Sequence, residues 1–218
     1  MTQSVSIADL MAQSGVAFGT SGARGLVSAM TDRVCFAYTA AFLQHLAAIG
    51  HFASGTHVAI AGDLRPSSLR IMAACAAAIR HMGGEVDHCG FIPSPAVAAY
   101  GFERSIPSLM VTGSHIPDDR NGIKFNRTDG EVLKPDELAI RAQDVVLPDL
   151  FDSEGMLKGA ASAGPLIDAA TPYIARYVDA FGSQALVGLT LGVYEHSAVG
   201  RDILGALVEA LGGRAVSL

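Results

Sequence analysis

Tryptophan is absent from this 218-residue sequence, and only three residues are cysteine. Cys35, Cys75 and Cys89 are far apart and include no CxxC pair, which argues against a zinc ribbon and a disulfide-stapled secreted domain. No run of lysine or arginine occurs, and the formal net charge is -6. A nucleic-acid partner is therefore not expected, because binding phosphates requires a basic face.

Long apolar runs are also missing. None approaches the roughly 18 to 20 residues that a membrane-spanning helix requires. Residues 1–11 have no basic segment, and Asp9 interrupts the stretch where the apolar part of a secretion signal would lie. We therefore expect a cytoplasmic protein without a membrane partner. Half of the residues are hydrophobic, which predicts a folded chain of one or two domains.

Hydrophobic periodicity predicts alternating strands and helices, which indicates a layered α/β fold with a mixed sheet between helices. The first helix is expected over residues 32–49, with Thr31 as its N-cap. Asn121-Gly122 is typical of a hairpin turn. The other predicted strands are 57–61, 85–89, 108–112 and 123–126, and the other predicted helices are 67–82, 96–103 and 135–145.

Residues 148–171 lose this period and are rich in small and polar residues, so we expect a connecting segment there. This divides the chain into a first domain at 1–150, a linker at 151–170 and the incomplete beginning of a second domain at 171–218. The last part predicts helix 171–181, strand 187–194, helix 199–211 and strand 214–218. Its strand–loop–helix–Gly-Gly–strand order repeats that of residues 57–89, which indicates a duplicated module.

The segment VTGSHIPDDRNGIK at 111–124 places several reactive side chains in a polar loop between two apolar strands. Ser114 follows a glycine at the end of a strand, where its hydroxyl can be presented as a nucleophile. His115 and Lys124 can transfer protons or stabilise negative charge. An ordinary hairpin turn explains the same residues equally well from local spacing alone.

A second polar segment, FGTSGARG at 18–25, contains three glycines that allow backbone N–H groups to approach an anion. Arg24 adds a planar guanidinium suited to phosphate. The segment lacks the Gly-Lys-Ser/Thr of a Walker loop and does not match a dinucleotide fingerprint. A flexible loop without a ligand is the alternative interpretation.

Taken together, these motifs resemble those of the α-D-phosphohexomutases, and most closely the bacterial phosphomannomutases. The resemblance extends over the whole chain, and the ordered set is far more specific than any one motif. It rests on FGTSGARG at 18–25, GDLR at 62–65, PSP at 93–95, SHIP at 114–117 with NGIK at 121–124, and YEHS at 194–197.

The resemblance implies a four-domain isomerase that moves a phosphoryl group between O1 and O6 of a hexose through a bisphosphorylated intermediate. Ser114 would be the phosphoserine, with His115 and Lys124 handling protons and charge. Thr20, Ser21 and Arg24 would bind substrate phosphate. Mg²⁺ would be held by phosphorylated Ser114 and an Asp-rich loop of the second domain, with hexose 1,6-bisphosphate as activator.

The sequence departs from the usual family pattern at Gly113, where alanine is common, and at Ile116, where asparagine is common. No Asp-x-Asp-x-Asp metal loop is present, nor are the family's sugar-choosing and C-terminal phosphate-binding loops. We therefore expect an N-terminal portion of a mutase with little turnover by itself, because phosphoryl transfer depends on positioning and charge stabilisation. The sugar preference and the oligomeric state stay open.

Two other functions remain as alternatives. One is a non-catalytic module that binds phosphosugars or other anions through the Arg24 and Ser114 segments. The other is a serine hydrolase built on Ser114 and His115, which we disfavour because adjacent residues are poorly placed as a nucleophile and its base.

Overall fold

The computed structural model describes residues 3–19 and 21–218. The described chain begins with strand β1 (Gln3–Ser6) and helix α1 (Ile7–Ser14), neither of which we predicted from the sequence. The Ser6 hydroxyl accepts a hydrogen bond from the Asp9 N–H, which caps the helix. Gly15 ends it with a left-handed backbone at φ 70°.

The centre of the protein is a six-stranded mixed sheet with the strand order β2-β3-β7-β6-β4-β5. Strand β4 runs parallel to both of its neighbours, and the remaining neighbours pair antiparallel. The strands are β2 (Ala17–Gly19), β3 (Gly22–Leu26), β4 (His57–Gly62), β5 (Glu85–Phe91), β6 (Ser108–Val111) and β7 (Arg120–Asn126).

Helices cover both faces of this sheet, as the sequence predicts. On the first face, Val58 and Ile60 of β4 pack in the larger core with α2 (Asp32–Ala48), α3 (Ser68–His81) and α5 (Lys134–Arg141). On the second face, Ala59 and Ala61 pack in a smaller core with α4 (Ser94–Arg104) and α6 (Ala170–Phe181). The alternation follows from the two-residue period of a strand.

The long helix α2 confirms the prediction for residues 32–49. The Thr31 hydroxyl accepts a hydrogen bond from the Val34 N–H, as expected of an N-cap. No helix among the described residues is long and apolar enough to cross a membrane.

Two predictions of local structure were wrong. Asn121 and Gly122 lie inside β7 rather than in a hairpin turn, and the turn before β7 is formed by the residues that precede them. The helix predicted at 135–145 ends at Arg141 and is followed by β8 (Asp144–Leu147). Pairing of β8 with β1, which local periodicity does not reveal, buries Val145 and Leu147 and favours the strand.

The segment between β8 and α6 lies against the first part of the protein. Phe151 packs edge-on to Phe36 with ring centroids 5.4 Å apart. The Ile167 N–H donates to the His88 carbonyl at 2.8 Å, beside the outer strand β5. The chain then forms α6, β9 (Thr190–Val193), α7 (Arg201–Ala210) and β10 (Arg214–Ser217), with β9 and β10 parallel as β4 and β5 are.

Candidate active site

The polar segments singled out in the sequence meet at one edge of the second sheet face. Lys124 is paired with Met110, whose side chain belongs to the smaller core on that face. Side chains two residues apart in a strand share a face. Thr112 therefore follows Met110 and Asp63 follows Ala61 on the face that carries Lys124.

Arg24 and Lys124 lie on neighbouring antiparallel strands. Arg24 is paired with Gly122 and Lys124 with Gly22, so the two cations occupy diagonal positions on one face, roughly 7 Å apart at Cβ. Both are partly buried. No Asp or Glu among the described residues forms an ion pair with either of them, so the surface offers two uncompensated positive charges to an anion.

Ser114 lies in the loop between β6 and β7, and its side chain is exposed. Its backbone adopts the left-handed region with φ 52°, which is uncommon for a residue other than glycine. Such conformations persist where surrounding contacts enforce them, and they concentrate at functional sites. The Ser114 N–H donates to the Thr112 hydroxyl at 2.9 Å, which ties the backbone of the loop to the end of β6.

The Asp63 carboxylate organises the beginning of this loop. One of its oxygens accepts hydrogen bonds from the Thr112 hydroxyl at 2.9 Å and from the Gly113 N–H at 3.0 Å. The other accepts from the Ser68 hydroxyl at 2.5 Å and from the Arg65 N–H at 3.1 Å. The GDLR motif was recognised in the sequence, but no role was assigned to it; its position directly after a core strand was the available signal.

His115 lies beside the Ser114 hydroxyl, with 3.2 Å between Nδ1 and Oγ. The expectation that adjacent residues are poorly placed for such a contact was therefore wrong, because the left-handed backbone at Ser114 brings the two side chains together. A hydrolase triad also requires a third group that orients the imidazole. Among the described residues, His115 makes no other side-chain hydrogen bond, so the triad is incomplete.

A cleft of about 1030 Å³ opens next to Ser114 on the second sheet face. One wall is formed by the Ser114 loop and the PSP motif at 93–95, and the other by α6 and the segment from β9 into α7. His196 and Ser197, from the YEHS motif, lie in this second wall with Nδ1 and Oγ 2.8 Å apart. The cleft is large enough for a sugar phosphate.

The predicted phosphate-binding residues divide into three cases. Arg24 lies beside Lys124 and Thr112, close to the Ser114 loop. The Ser21 hydroxyl instead donates to the Glu131 carboxylate at 3.1 Å, in a separate shallow pocket. Thr20 lies outside the described residues. The alternative interpretation of residues 18–25 as a flexible loop was wrong, because the segment contributes to strands β2 and β3, which join the edge of the sheet.

The described residues do not form a complete Mg²⁺ site. They contain no group of three His, Cys, Asp or Glu side chains arranged to hold a metal ion. The Asp63 oxygens are engaged by the loop, and Asp118 is paired with Arg65 at 3.1 Å. Mg²⁺ requires near-octahedral oxygen coordination, and the exposed oxygens that this loop offers to a cation include the Ser114 hydroxyl and the Asp119 carboxylate.

Residues 15–143 match the family model described as phosphoglucomutase/phosphomannomutase, alpha/beta/alpha domain I. The matched range includes the strands that carry Arg24 and Lys124 and the whole Ser114 loop. The chain therefore belongs to the phosphoglucomutase/phosphomannomutase family, which confirms the resemblance found in the sequence.

Two curated relatives show how much of such a protein the chain spans. It is 42% identical over 210 residues to a phosphomannomutase of Salmonella muenchen, covering 96% of this chain and 42% of that protein. It is 42% identical over 202 residues to a phosphomannomutase of Sinorhizobium fredii, covering 93% of this chain and 42% of that protein. The chain thus spans about two fifths of the length of these relatives.

Solved structures agree with the architecture. A phosphoglucomutase/phosphomannomutase family protein from Burkholderia thailandensis superposes with a TM-score of 0.69 at 23% identity, covering 91% of this chain and 42% of that one. A phosphomannomutase-like structure from Thermus thermophilus gives 0.63 at 22% identity, covering 92% and 45%. At this identity the likeness shows the fold, and it confirms the expected layered α/β class.

Proposed function

We propose that the chain carries the phosphoryl-accepting serine of a phosphohexomutase that interconverts hexose 1-phosphate and hexose 6-phosphate. The observation that carries the proposal is the position of Ser114, exposed in a left-handed backbone at the edge where Arg24 and Lys124 present two uncompensated charges. The arrangement suits a transferring phosphoryl group, whose catalysis is mostly positioning and charge stabilisation.

The transfer runs in two balanced steps. A hydroxyl oxygen of the hexose monophosphate forms a bond to the phosphorus on phosphorylated Ser114 while the bond from Oγ to phosphorus breaks, which gives hexose 1,6-bisphosphate and the free serine. Oγ then forms a bond to the other phosphorus of the bisphosphate, whose bond to the sugar oxygen breaks. Each attacking hydroxyl loses a proton and each leaving oxygen gains one, and His115 Nδ1, 3.2 Å from Oγ, is placed to carry it.

Lys124 and Arg24 stabilise the charge on the equatorial phosphoryl oxygens during both steps. Ser21 contributes less to phosphate binding than Arg24 does, because its hydroxyl already donates to Glu131. Phosphorylated Ser114 is the residue of this part of the protein that would hold Mg²⁺, and the ion would supply charge neutralisation. Hexose 1,6-bisphosphate acts as activator by loading Ser114.

We further propose that residues 1–150 form the first domain of the mutase, 151–170 the linker and 171–218 the first elements of the second domain. The parallel β9–α7–β10 unit supports this, because it repeats the order of β4–α3–β5. Amide hydrogen exchange tests the division. We expect the amides of α7 and β10 to exchange by local unfolding that leaves the amides of β4 and β6 protected. Simultaneous unfolding of all four elements would contradict the proposed division into domains.

The proposed acceptor is tested by incubating the chain with glucose 1,6-bisphosphate and magnesium and measuring its intact mass. We expect a gain of one phosphoryl group, about 80 Da, that peptide mapping places on Ser114. Ser114→Ala should abolish the gain, and Ser153→Ala, a control in an exposed turn, should retain it. If the parent chain gains no mass, the same incubation is made with a longer version that includes the Asp-rich loop of the second domain. Absence of phosphorylation on Ser114 there, even with measurable binding of the bisphosphate, would favour the anion-binding module and overturn the acceptor role.

A further inference from the structure

The Arg65 guanidinium fills the inside of the loop that carries Ser114. Nη1 donates to the carbonyls of Pro117 at 3.0 Å and Arg120 at 3.3 Å. Nη2 donates to the carbonyls of Ile116 at 2.7 Å and Ser114 at 3.5 Å. One side chain thus satisfies four carbonyls of a loop that otherwise has little regular hydrogen bonding.

Arg65 is also connected to the other end of the loop. Its Nε lies 3.3 Å from the Asp63 oxygen that accepts the Gly113 N–H and the Thr112 hydroxyl. The side chain is only 13% exposed although it is charged. A charged group removed from water needs compensating partners, and Arg65 finds them in the backbone on both sides of Ser114 and in the carboxylates of Asp63 and Asp118.

Gly113 makes room for this arrangement. A Cβ atom at this position would lie 2.2 Å from Arg65 Nε and 2.3 Å from Cζ. The guanidinium therefore lies closer to the loop backbone than a side chain at 113 would permit. Gly113 and Arg65 are therefore expected to depend on each other.

We infer that Asp63 and Arg65 are positioning residues that hold Ser114 in the left-handed conformation required for phosphoryl transfer, with Gly113 admitting the guanidinium. The inference rests on the proposed function of Ser114. Neither side chain needs to contact the substrate, because their partners are groups of the loop itself. A small displacement of a reacting atom can cost about a hundredfold in rate. Loss of the contacts from Arg65 or Asp63 to the loop should therefore slow transfer more than it weakens binding of the phosphoryl donor.

The experiment compares R65M with R70M, a matched control. Arg70 also joins a loop carbonyl to a carboxylate, those of Met30 and Asp32, but outside the cleft. With glucose 1,6-bisphosphate as donor, R65M should lower the maximal rate of Ser114 phosphorylation roughly tenfold to a hundredfold, with the half-saturating donor concentration changed less than about threefold. R70M should keep both near the parent values once corrected for the folded fraction.

A double-mutant cycle tests the dependence on Gly113. G113A should slow phosphorylation when Arg65 is present, and it should have little further effect in an R65A background, because alanine removes the side-chain atoms that a Cβ at 113 would meet. Additive effects of G113A and R65A would overturn the proposed role of Gly113. A parent-like maximal rate in R65M would overturn the positioning role of Arg65.

Amide hydrogen exchange gives a readout that does not depend on phosphorylation. R65M and D63N should each speed exchange at the Gly113 and Ser114 amides by at least about fivefold, as expected for loss of a hydrogen bond, while β4 stays protected. If Ser114 is phosphorylated neither in the parent chain nor in the longer version, the proposed function fails, and exchange still decides whether Arg65 and Asp63 hold the loop. Unchanged exchange in both variants would overturn the inference.

Discussion

Arg24 and Lys124 lie diagonally on adjacent antiparallel strands with a glycine opposite each of them. Their guanidinium and ammonium groups carry like charges on the same face of the sheet, so they repel each other. No carboxylate of the described residues is placed to relieve this repulsion. An arrangement that is unfavourable in the empty protein and favourable around a dianion is consistent with a phosphoryl-binding role.

Lys124→Met should reduce phosphorylation of Ser114 by at least about tenfold while the free energy of unfolding stays within about 0.5 kcal/mol of the parent. The reason is that methionine keeps the apolar stem and removes only the charge. The rate of mass gain and a urea titration measure the two quantities. Lys134→Met is the control, since Lys134 is an exposed partner of Glu137 and should leave both unchanged. An unfolded Lys124 variant would instead assign that residue a structural role.

Gly22→Ala should destabilise the protein by about 1 to 3 kcal/mol, as overpacking does in a close-packed interior. A Cβ at Gly22 would lie 2.1 Å from the Ile123 carbonyl oxygen and 2.8 Å from the Lys124 Cα. Both are backbone atoms, so the strands must separate. Gly19→Ala is a matched control on the neighbouring strand, where a Cβ would meet nothing within 4 Å. Equal urea midpoints for the two variants would contradict the requirement for glycine at position 22.

Much of the fold could be predicted because its helices and inner strands carry their own periodicity. The apolar stripe and the Thr31 cap located α2 to within a residue at each end. The first 26 residues could not be interpreted in this way, because β1 is stabilised by distant pairing with β8, and β2 and β3 are short and rich in glycine. Such strands form through tertiary contacts rather than local preference.

The candidate site was predicted in part. Ser114, His115, Lys124 and Arg24 were identified by residue type and motif, and the register of β3 with β7 brings the two cations together. Asp63 and Arg65 could not be assigned a role from the sequence, because their partners are loop carbonyls and N–H groups about 50 residues further along the chain. The contact between Ser114 and His115 depends on a left-handed φ that no local pattern indicated.

The ion pair of His57 and Asp87 should make stability depend on pH. Nδ1 and Oδ1 are 2.7 Å apart, and the hydrogen bond and charge of Asp87 raise the pKa of His57 above 6.5. A raised folded-state pKa stabilises the protein below the unfolded value, and this contribution is lost as the pH rises through the folded value. The stability difference between parent and His57→Gln should therefore be larger near about pH 5.5 than near about pH 9.

The size of this effect is limited by exposure, since the His57 side chain is 57% accessible. We expect a few tenths of a kcal/mol, as for other exposed pairs. Asp87→Asn supplies the control, because it removes the same ion pair. In the Asp87→Asn background, His57→Gln should cause no further pH-dependent change in stability. If the difference in unfolding free energy between the parent and His57→Gln stays constant from about pH 5.5 to about pH 9, the ion pair is not the source of the pH dependence.

The segment that joins β8 to α6 should contribute to the stability of the first α/β layer, although its composition resembles a flexible connection. Phe151 contacts Phe36 on the larger core, and its ring is partly buried there. Phe151→Ala should lower the free energy of unfolding by about 1 to 3 kcal/mol through lost packing. Phe181→Ala is the matched control at an exposed position, 66% accessible, and should cost less than about 0.5 kcal/mol. If urea titration gives the same small loss of unfolding free energy for both variants, the segment only connects β8 to α6 and does not stabilise the folded layer.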